Sequence, residues 1–320
     1  MHKKLNEIIK IVKKYNRIII TGHENPDFDS FASAVGMYEI CKKYNENIYI
    51  YIDTKKVNNS LNKGIQLLVN STSIYKIIDK NQANNLIDKN TLLIIVDASS
   101  KNLIECKELL NLDTIILDHH IVDDTSKINS IYEIIDSNYS SVSEMVTFFL
   151  DYLKIDPLKE VATLLLLGIE VDTNSYVMKT TSNTYLAASK LLEMGADNSE
   201  KAEILKETRE NYIKKGNLIK RSYMVTEDVI LCILDGEIYN QKDLAEVADE
   251  LIQFEDVEAS FVIGKIDKEK ISISARSLGK IDVQKIVKQL GGGGSPTSAA
   301  VQFESSTIKD VKNKLLKLIK

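Results

Sequence analysis

The stretch RIIITGHENPDFDSFASAVGMYEI, residues 17–40, carries the first decision about the fold. Its opening, RIII, is a short β-branched apolar run, the composition of a strand covered on both faces. The following SFASAVGMYEICKKYN (30–45) reads as a helix. Between the two, TGHENPDFDS (21–30) packs His23, Asp27 and Asp29 into seven residues around Pro26. A proline sets φ locally and suits a turn from strand into helix. Three further runs share the strand character of the first: NIYIYID (47–53), TLLIIVD (91–97) and TIILDHH (114–120), with helical stretches between them. Alternation of this kind predicts an α/β fold, a parallel sheet with helices on both faces. At the ends of three of these strands stand His23, Asp97, and Asp118-His119-His120. Ligands of open α/β sheets bind beyond the carboxyl ends of the strands, so these polar tips should meet at one rim.

Outward from this core the pattern changes twice. From about residue 141 the chain reads as helical: VSEMVTFFLDYLK, KEVATLLLLGIEVDT and SNTYLAASKLLEMGAD. From about 225 strands resume with VILCIL (229–234), ASFVIGKI (259–266) and KISISARS (270–277), which predicts a second, smaller α/β unit. We therefore expect domains at 1–196 and 225–320, joined by a charged helical connector over 197–224. No internal repeat is visible. The apolar helix EMVTFFLDYL (144–153) would suit the face of a homodimer.

Composition removes several classes of function. The formal charge is −5 with no basic block, which argues against a duplex-DNA-binding face. No apolar run approaches the roughly 20 residues that span a bilayer, and MHKKLNEIIK lacks a signal-peptide core. The three cysteines, Cys41, Cys106 and Cys232, are scattered without C-x-x-C spacing, as expected for a reducing cytoplasm.

Carboxylates and imidazoles gathered this closely need a cation among them. In H-x-x-x-D-x-D, His23, Asp27 and Asp29 can face one point as the backbone turns. Asp97 could bridge two ions, and His119 with Asp172, in GIEVDTNS, completes a set of two His and four Asp without Cys. Such donors suit Mn²⁺ or Mg²⁺ better than a structural zinc. Two ions about 3.5–4 Å apart would clamp a phosphoryl group. For each residue alone a plainer reading competes: a lone Asp before a helix is commonly an N-cap, and Asp29 before SFASAVG could be one. Three of the four histidines, however, stand at strand tips beside aspartates; His2 is the exception.

The segments HENPDFD, VDASS, LDHH and GIEVDTNSY, in that order, resemble the four motifs of the DHH phosphoesterase superfamily, and the resemblance spans nearly the whole chain. It implies two Mn²⁺ ions, with Mg²⁺ as a substitute. One would be held by His23, Asp27 and Asp97, the other by Asp29, Asp97, His119 and Asp172. His120 would face substrate phosphate, and Asp118 would orient its neighbouring histidine. The words EASF, ISARSLG and TSAAVQ resemble a DHHA1 domain, with LKET (205–208) in the connecting helix. More narrowly they are similar to the catalytic module of bacterial cyclic di-AMP phosphodiesterases, which open the cyclic dinucleotide to linear 5′-pApA. The resemblance thus places the active site in the cleft between the two domains. It does not extend to the membrane helices, PAS and GGDEF domains of full-length forms, so a stand-alone enzyme or an excised catalytic piece is expected.

The second domain reads as a substrate grip. Four of the thirteen glycines fall together at 291–294, and Gly292, Gly293 and Gly294 can bring backbone amides close to a phosphate. A flexible linker is the competing reading of GGGGS. Arg276 can offer a two-pronged fork to a non-scissile phosphate, or be a solvated surface arginine. The chain departs from the family at Ser295, followed by Pro296, where the family motif reads Gly-Gly-Gly-His. The residues that bind substrate would then be His120, Arg276, Gly292, Gly293, Gly294 and Ser295, with Asp97, Asp118 and His120 at the chemistry. The leading expectation is hydrolysis of cyclic di-AMP. The alternatives are nanoRNase-type cleavage of pApA and short oligonucleotides to mononucleotides, and a weakly active cyclic-dinucleotide sensor.

Overall fold

The computed structural model describes residues 2–120 and 126–319. The chain divides into two compact units, Met1–Lys206 and Glu207–Lys320. The charged stretch 197–224 is shared between them rather than standing apart.

In the first unit the order is α1 (His2–Val12), β1 (Arg17–Thr21), α2 (Phe28–Cys41), β2 (Ile48–Tyr51), α3 (Asn59–Ser71), β3 (Ile77–Ile78), α4 (Lys80–Asn85), β4 (Thr91–Val96), β5 (Asp113–Asp118), β6 (Tyr132–Ile135), α5 (Val142–Leu153), α6 (Lys159–Asp172), α7 (Ser182–Glu193) and α8 (Asn198–Leu205). The strands form one sheet in the order β3-β2-β1-β4-β5-β6, and every neighbouring pair is parallel. From β1 the chain builds outward to β3, returns to lay β4 beside β1, and builds the other way to β6. The reversal between β1 and β4 is where an open α/β sheet makes a crevice for a ligand.

Burial on both faces explains why the strands read as continuous apolar runs. Ile18, Ile20, Leu92, Ile94 and Val96 point to the face covered by the long helices. Their neighbours Ile19, Leu93 and Ile95 point to the opposite face, where Ala83 of α4 and the 3₁₀ turn Lys107–Asn111 close a smaller core. The edge strands β3 and β6 left little trace in the sequence, because β3 is two residues long and β6 is mostly half-buried.

One expectation is overturned here. The apolar helix offered as a dimer face is α5, and its Met145, Val146, Phe149 and Leu150 lie in the main core. Its apolar stripe packs against α2 and α6, so core burial accounts for it.

Close approach of α6 to α2 and α5 depends on Gly168. A Cβ there would stand 2.3 Å from Ser143 Oγ and 3.1 Å from the Asp29 Cα.

The second unit contains α9 (Arg209–Ile219), β7 (Ser222–Met224), β8 (Val229–Ile238), α10 (Gln241–Leu251), β9 (Ala259–Lys265), β10 (Lys270–Ser277), α11 (Val283–Gln289), β11 (Gly293–Ser295), β12 (Ser298–Glu304) and α12 (Ile308–Ile319). Its sheet runs β11-β12-β10-β9-β8-β7, with β8 and β9 parallel and the other pairs antiparallel. Here the linker reading of GGGGS fails. Gly293 and Gly294 pair with Ala300 and Ala299 in a hairpin. Gly294 has φ +140°, and a Cβ on Gly292 would meet Ala300 O at 2.4 Å. The hairpin leaves no room for side chains at Gly292 and Gly294, which accounts for glycine at these two positions.

Gly168→Ala should destabilise the protein by about 1–3 kcal/mol through overpacking. Chemical denaturation measures this, and an unchanged midpoint would show that α6 can stand off from α2 without penalty.

Candidate metal centre

Each expected ligand sits where a regular element ends, because a strand or helix terminus frees the backbone to turn a side chain into the crevice. His23 follows β1, Asp97 follows β4, His119 follows β5, and Asp172 is the last residue of α6. Asp97 has a left-handed backbone (φ 57°), sparsely populated for a non-glycine residue. Its N–H bonds Leu117 O at 2.8 Å, which ties the tip of β4 to β5.

Three groups of donors emerge, each with its ligand atoms within 4.8 Å of one another: His23-Asp27-Asp97, Asp29-His119-Asp172, and Asp97-His119-His120. Asp97 joins them. Its Oδ2 is 3.4 Å from His23 Nε2, while its Oδ1 is 3.5 Å from His119 Nε2 and 3.5 Å from His120 Nδ1. Each carboxylate oxygen therefore faces a different imidazole. His119 Nε2 is also 3.0 Å from Asp172 Oδ2, and His23 Nε2 is 3.6 Å from Asp27 Oδ2.

The two aspartates of the first motif have different duties. Asp27 caps α2, its Oδ1 accepting from Ser30 N at 3.0 Å, while its Oδ2 faces His23. The cap reading thus belongs to Asp27. Asp29, two residues later and fully buried, reaches across to α5 and accepts from Val142 N at 2.8 Å and Ser143 N at 2.7 Å. The N-terminus of α5 favours its negative charge.

Charge in the cluster is unbalanced without a cation. Burial alone would lower the His23 imidazole, but the carboxylates of Asp27 and Asp97 outweigh it and push it up to about 11. His119 behaves alike: burial opposes, Asp172 and Asp97 prevail, and it too rises to about 11. Burial would raise the Asp97 carboxyl, yet His119 and His23 hold it well below the usual carboxylate range. Asp29 moves up, through burial first and then repulsion from Asp97 and Asp172. Asp172 also moves up, burial and repulsion from Asp97 and Asp27 exceeding the pull of His119.

The residues fit divalent cations. Among the described residues, Asp97 Oδ1 and both ring nitrogens of His119 are buried without a hydrogen-bond partner. The short approaches around His119 lack hydrogen-bond alignment, the arrangement of ligands aimed at a common point rather than at each other. Two imidazoles and four carboxylates, with no thiolate among them, suit a hard or borderline cation.

His120 differs from His119. Its side chain is 49% exposed, and its Nδ1 is 2.9 Å from Asp118 Oδ1. Both oxygens of Asp118 are engaged: Oδ1 also accepts from His119 N at 2.8 Å and His120 N at 3.1 Å, and Oδ2 accepts from Ser99 Oγ. Asp118 therefore holds the two histidines in place. Ser99 escaped sequence reading, as did Ser140, Glu144 and Thr184 behind Asp29. The spacing Ser141-x-x-Glu144 ahead of an apolar helix was the available signal.

In the second unit Arg276 is already paired. Its Nε is 2.6 Å from Asp249 Oδ1 and its Nη2 3.4 Å from Asp249 Oδ2. Ser295 Oγ accepts from Ser298 N at 3.2 Å, which ties the turn of the hairpin. Gly293, by contrast, has an open face, with no atom within 4 Å of the Cβ position.

Comparison with known proteins agrees with this architecture. Residues 17–169 match the DHH family, N-terminal domain, and residues 224–320 match the DHHA1 domain. The chain is 33% identical to the cyclic-di-AMP phosphodiesterase GdpP of Bacillus subtilis over 96% of its own length and 48% of that protein's. It thus spans about half the length of such curated relatives. It is 27% identical to the bifunctional oligoribonuclease and PAP phosphatase NrnA of Mycoplasma genitalium, over 98% of both chains. Among solved structures, an exopolyphosphatase-related protein from Bacteroides fragilis shares the fold, with a TM-score of 0.83 at 19% identity over 100% of this chain and 98% of that one.

Cation binding requires neutral imidazoles. With His23 and His119 both near 11 in the cation-free cluster, Mn²⁺ binding should release protons and strengthen as the pH rises from 6 to 8. Titration calorimetry in two buffers of different ionisation enthalpy reads the release directly; identical heats would contradict it. The sign for the cation-free protein is opposite. Histidines raised on folding contribute stability that is complete below about pH 6.5 and lost as the pH climbs toward about 11.

Proposed function

The chain belongs to the DHH phosphoesterase family, in its DHHA1-bearing branch, and from that premise we propose that it is a phosphodiesterase that opens cyclic di-AMP to linear 5′-pApA. The observation that carries the reading is Asp97, whose two oxygens face two separate groups of ligands. In this reading His23, Asp27 and Asp97 hold one Mn²⁺, and Asp29, Asp97, His119 and Asp172 hold the other, with Mg²⁺ as a substitute. Ions so placed supply Lewis-acid stabilisation of phosphoryl charge and lower the pKa of water.

The rest is done by the chain itself. Asp97, fixed by its left-handed backbone and its bond to β5, sets the separation of the two groups. Asp118 takes the Nδ1 side of His120, which leaves the half-exposed ring to present Nε2 to a phosphate oxygen. Nucleotide binding is assigned to His120, Arg276 and the Gly292–Ser295 hairpin, where Arg276 exchanges Asp249 for a phosphate. The enzyme works in the cytoplasm, in keeping with Cys41, Cys106 and Cys232, all free and buried.

A second reading, cleavage of pApA and other short oligonucleotides to mononucleotides, is favoured by two observations. The match to NrnA covers both chains almost fully, and Ser295 is occupied within its own turn where the family motif has histidine.

Product analysis with Mn²⁺ and both substrates side by side tests the choice. Conversion of cyclic di-AMP that stops at pApA supports the first reading; AMP from pApA with the cyclic compound intact supports the second. Asp97→Ala, with circular dichroism unchanged, should lower kcat by about 10³-fold or more, several kcal/mol of lost charge stabilisation. Undiminished turnover in that variant would refute a role for the cluster in either reading.

A further inference from the structure

Behind Asp29 lies a buried network that none of the roles above uses. Glu144, in the first turn of α5, is 1% exposed. Its Oε2 accepts from Ser140 N at 3.0 Å, from Thr184 Oγ1 at 3.0 Å, and from Ser140 Oγ. Its Oε1 is buried without a partner among the described residues. Its own N–H donates to Ser141 Oγ at 3.0 Å, the cap of α5.

A buried carboxylate is costly even when hydrogen-bonded. Capping α5 does not require one, because Ser141 already caps it and Asp29 takes the next two N–H groups. What Glu144 adds is a tie between elements. Ser140 fixes the entry to α5, whose first N–H groups grip both oxygens of Asp29. Thr184 fixes the start of α7, which follows the turn after Asp172; Thr184 Oγ1 also accepts from Thr181 N at 3.0 Å, within the capping box of α7. One carboxylate thus joins the helix end that orients Asp29 to the helix that opens after Asp172. The turn itself, Asn174, Ser175 and Tyr176, runs through three consecutive left-handed residues, a conformation that persists only when its surroundings hold it.

We infer that Glu144 is a positioning residue for the Asp29-His119-Asp172 group, setting its fit to a divalent cation. The inference rests on the two-cation reading above. It is selective: His23, Asp27 and Asp97 come from the β1–α2 turn and from β4, none of which Glu144 bonds.

Mn²⁺ titration followed by electron paramagnetic resonance tests it without substrate. Glu144→Ala should weaken one of two Mn²⁺ sites by about 10-fold, the lower end of what losing a ligand's direct partner costs because Glu144 acts one contact further back, and leave the other within about threefold. Glu144→Gln, which keeps an acceptor for Ser140 N, should restore most of the loss. Should Glu144→Ala fail to fold, Thr184→Val cuts the same tie from the other end; it should weaken the same site, and Thr184→Ser should restore it. A folded Glu144→Ala or Thr184→Val that binds both ions like the wild type overturns the inference, as does equal weakening of both sites. Wild-type protein that binds fewer than two Mn²⁺ would overturn the two-cation reading itself, and the inference with it.

Discussion

Four aspartates and two histidines converge on one rim of the first unit, and each lies in the field of the others. At the centre stands Asp97, 2% exposed and shared between two groups of ligands. Two raised histidines hold its charge in place. Two other aspartates are pushed toward protonation by burial and by the carboxylates around them. Protons here stand in for positive charge that a cation would supply more fully.

The architecture delivers these side chains by stopping its elements at the same level. A sheet that reverses direction between β1 and β4 leaves a crevice at that seam, and His23 and Asp97 are the residues just beyond the two strands that flank it. Asp29 then works as ligand candidate and staple at once, because its carboxylate is received by the N-terminus of α5. The helices must come close for that to happen, and Gly168 permits it. The core and the site are therefore not separable: the contact that packs α6 on α2 also brings Asp172 toward Asp29.

Much of this was legible along the chain. Apolar runs ending in Asp or His mark strands whose tips meet at one rim, and the six candidate ligands in the four motif words fall within groups that could hold a metal ion. Legibility failed where two physical causes produce one pattern. An apolar stripe on α5 looks alike whether it faces a partner or the core; it faces the core. An Asp at a helix start looks alike whether it caps its own helix or another; Asp27 does the first and Asp29 the second. GGGGS reads as a linker by composition, yet it folds into a hairpin whose close backbone contacts leave no room for a side chain at Gly292 and Gly294.

The sequence by itself determined the class of the fold, the family, and a set of candidate donors, because hydrophobic period, strand length and residue chemistry are local properties. It could not determine which carboxylate faces which imidazole, that Asp118 is tied to both histidines and Ser99, or that Glu144 ties two helix starts together. Those facts depend on contacts between residues far apart in the chain, such as Asp29 with Ser143 and Glu144 with Thr184. Tertiary packing alone decided them, since only there do buried polar groups have to find their partners.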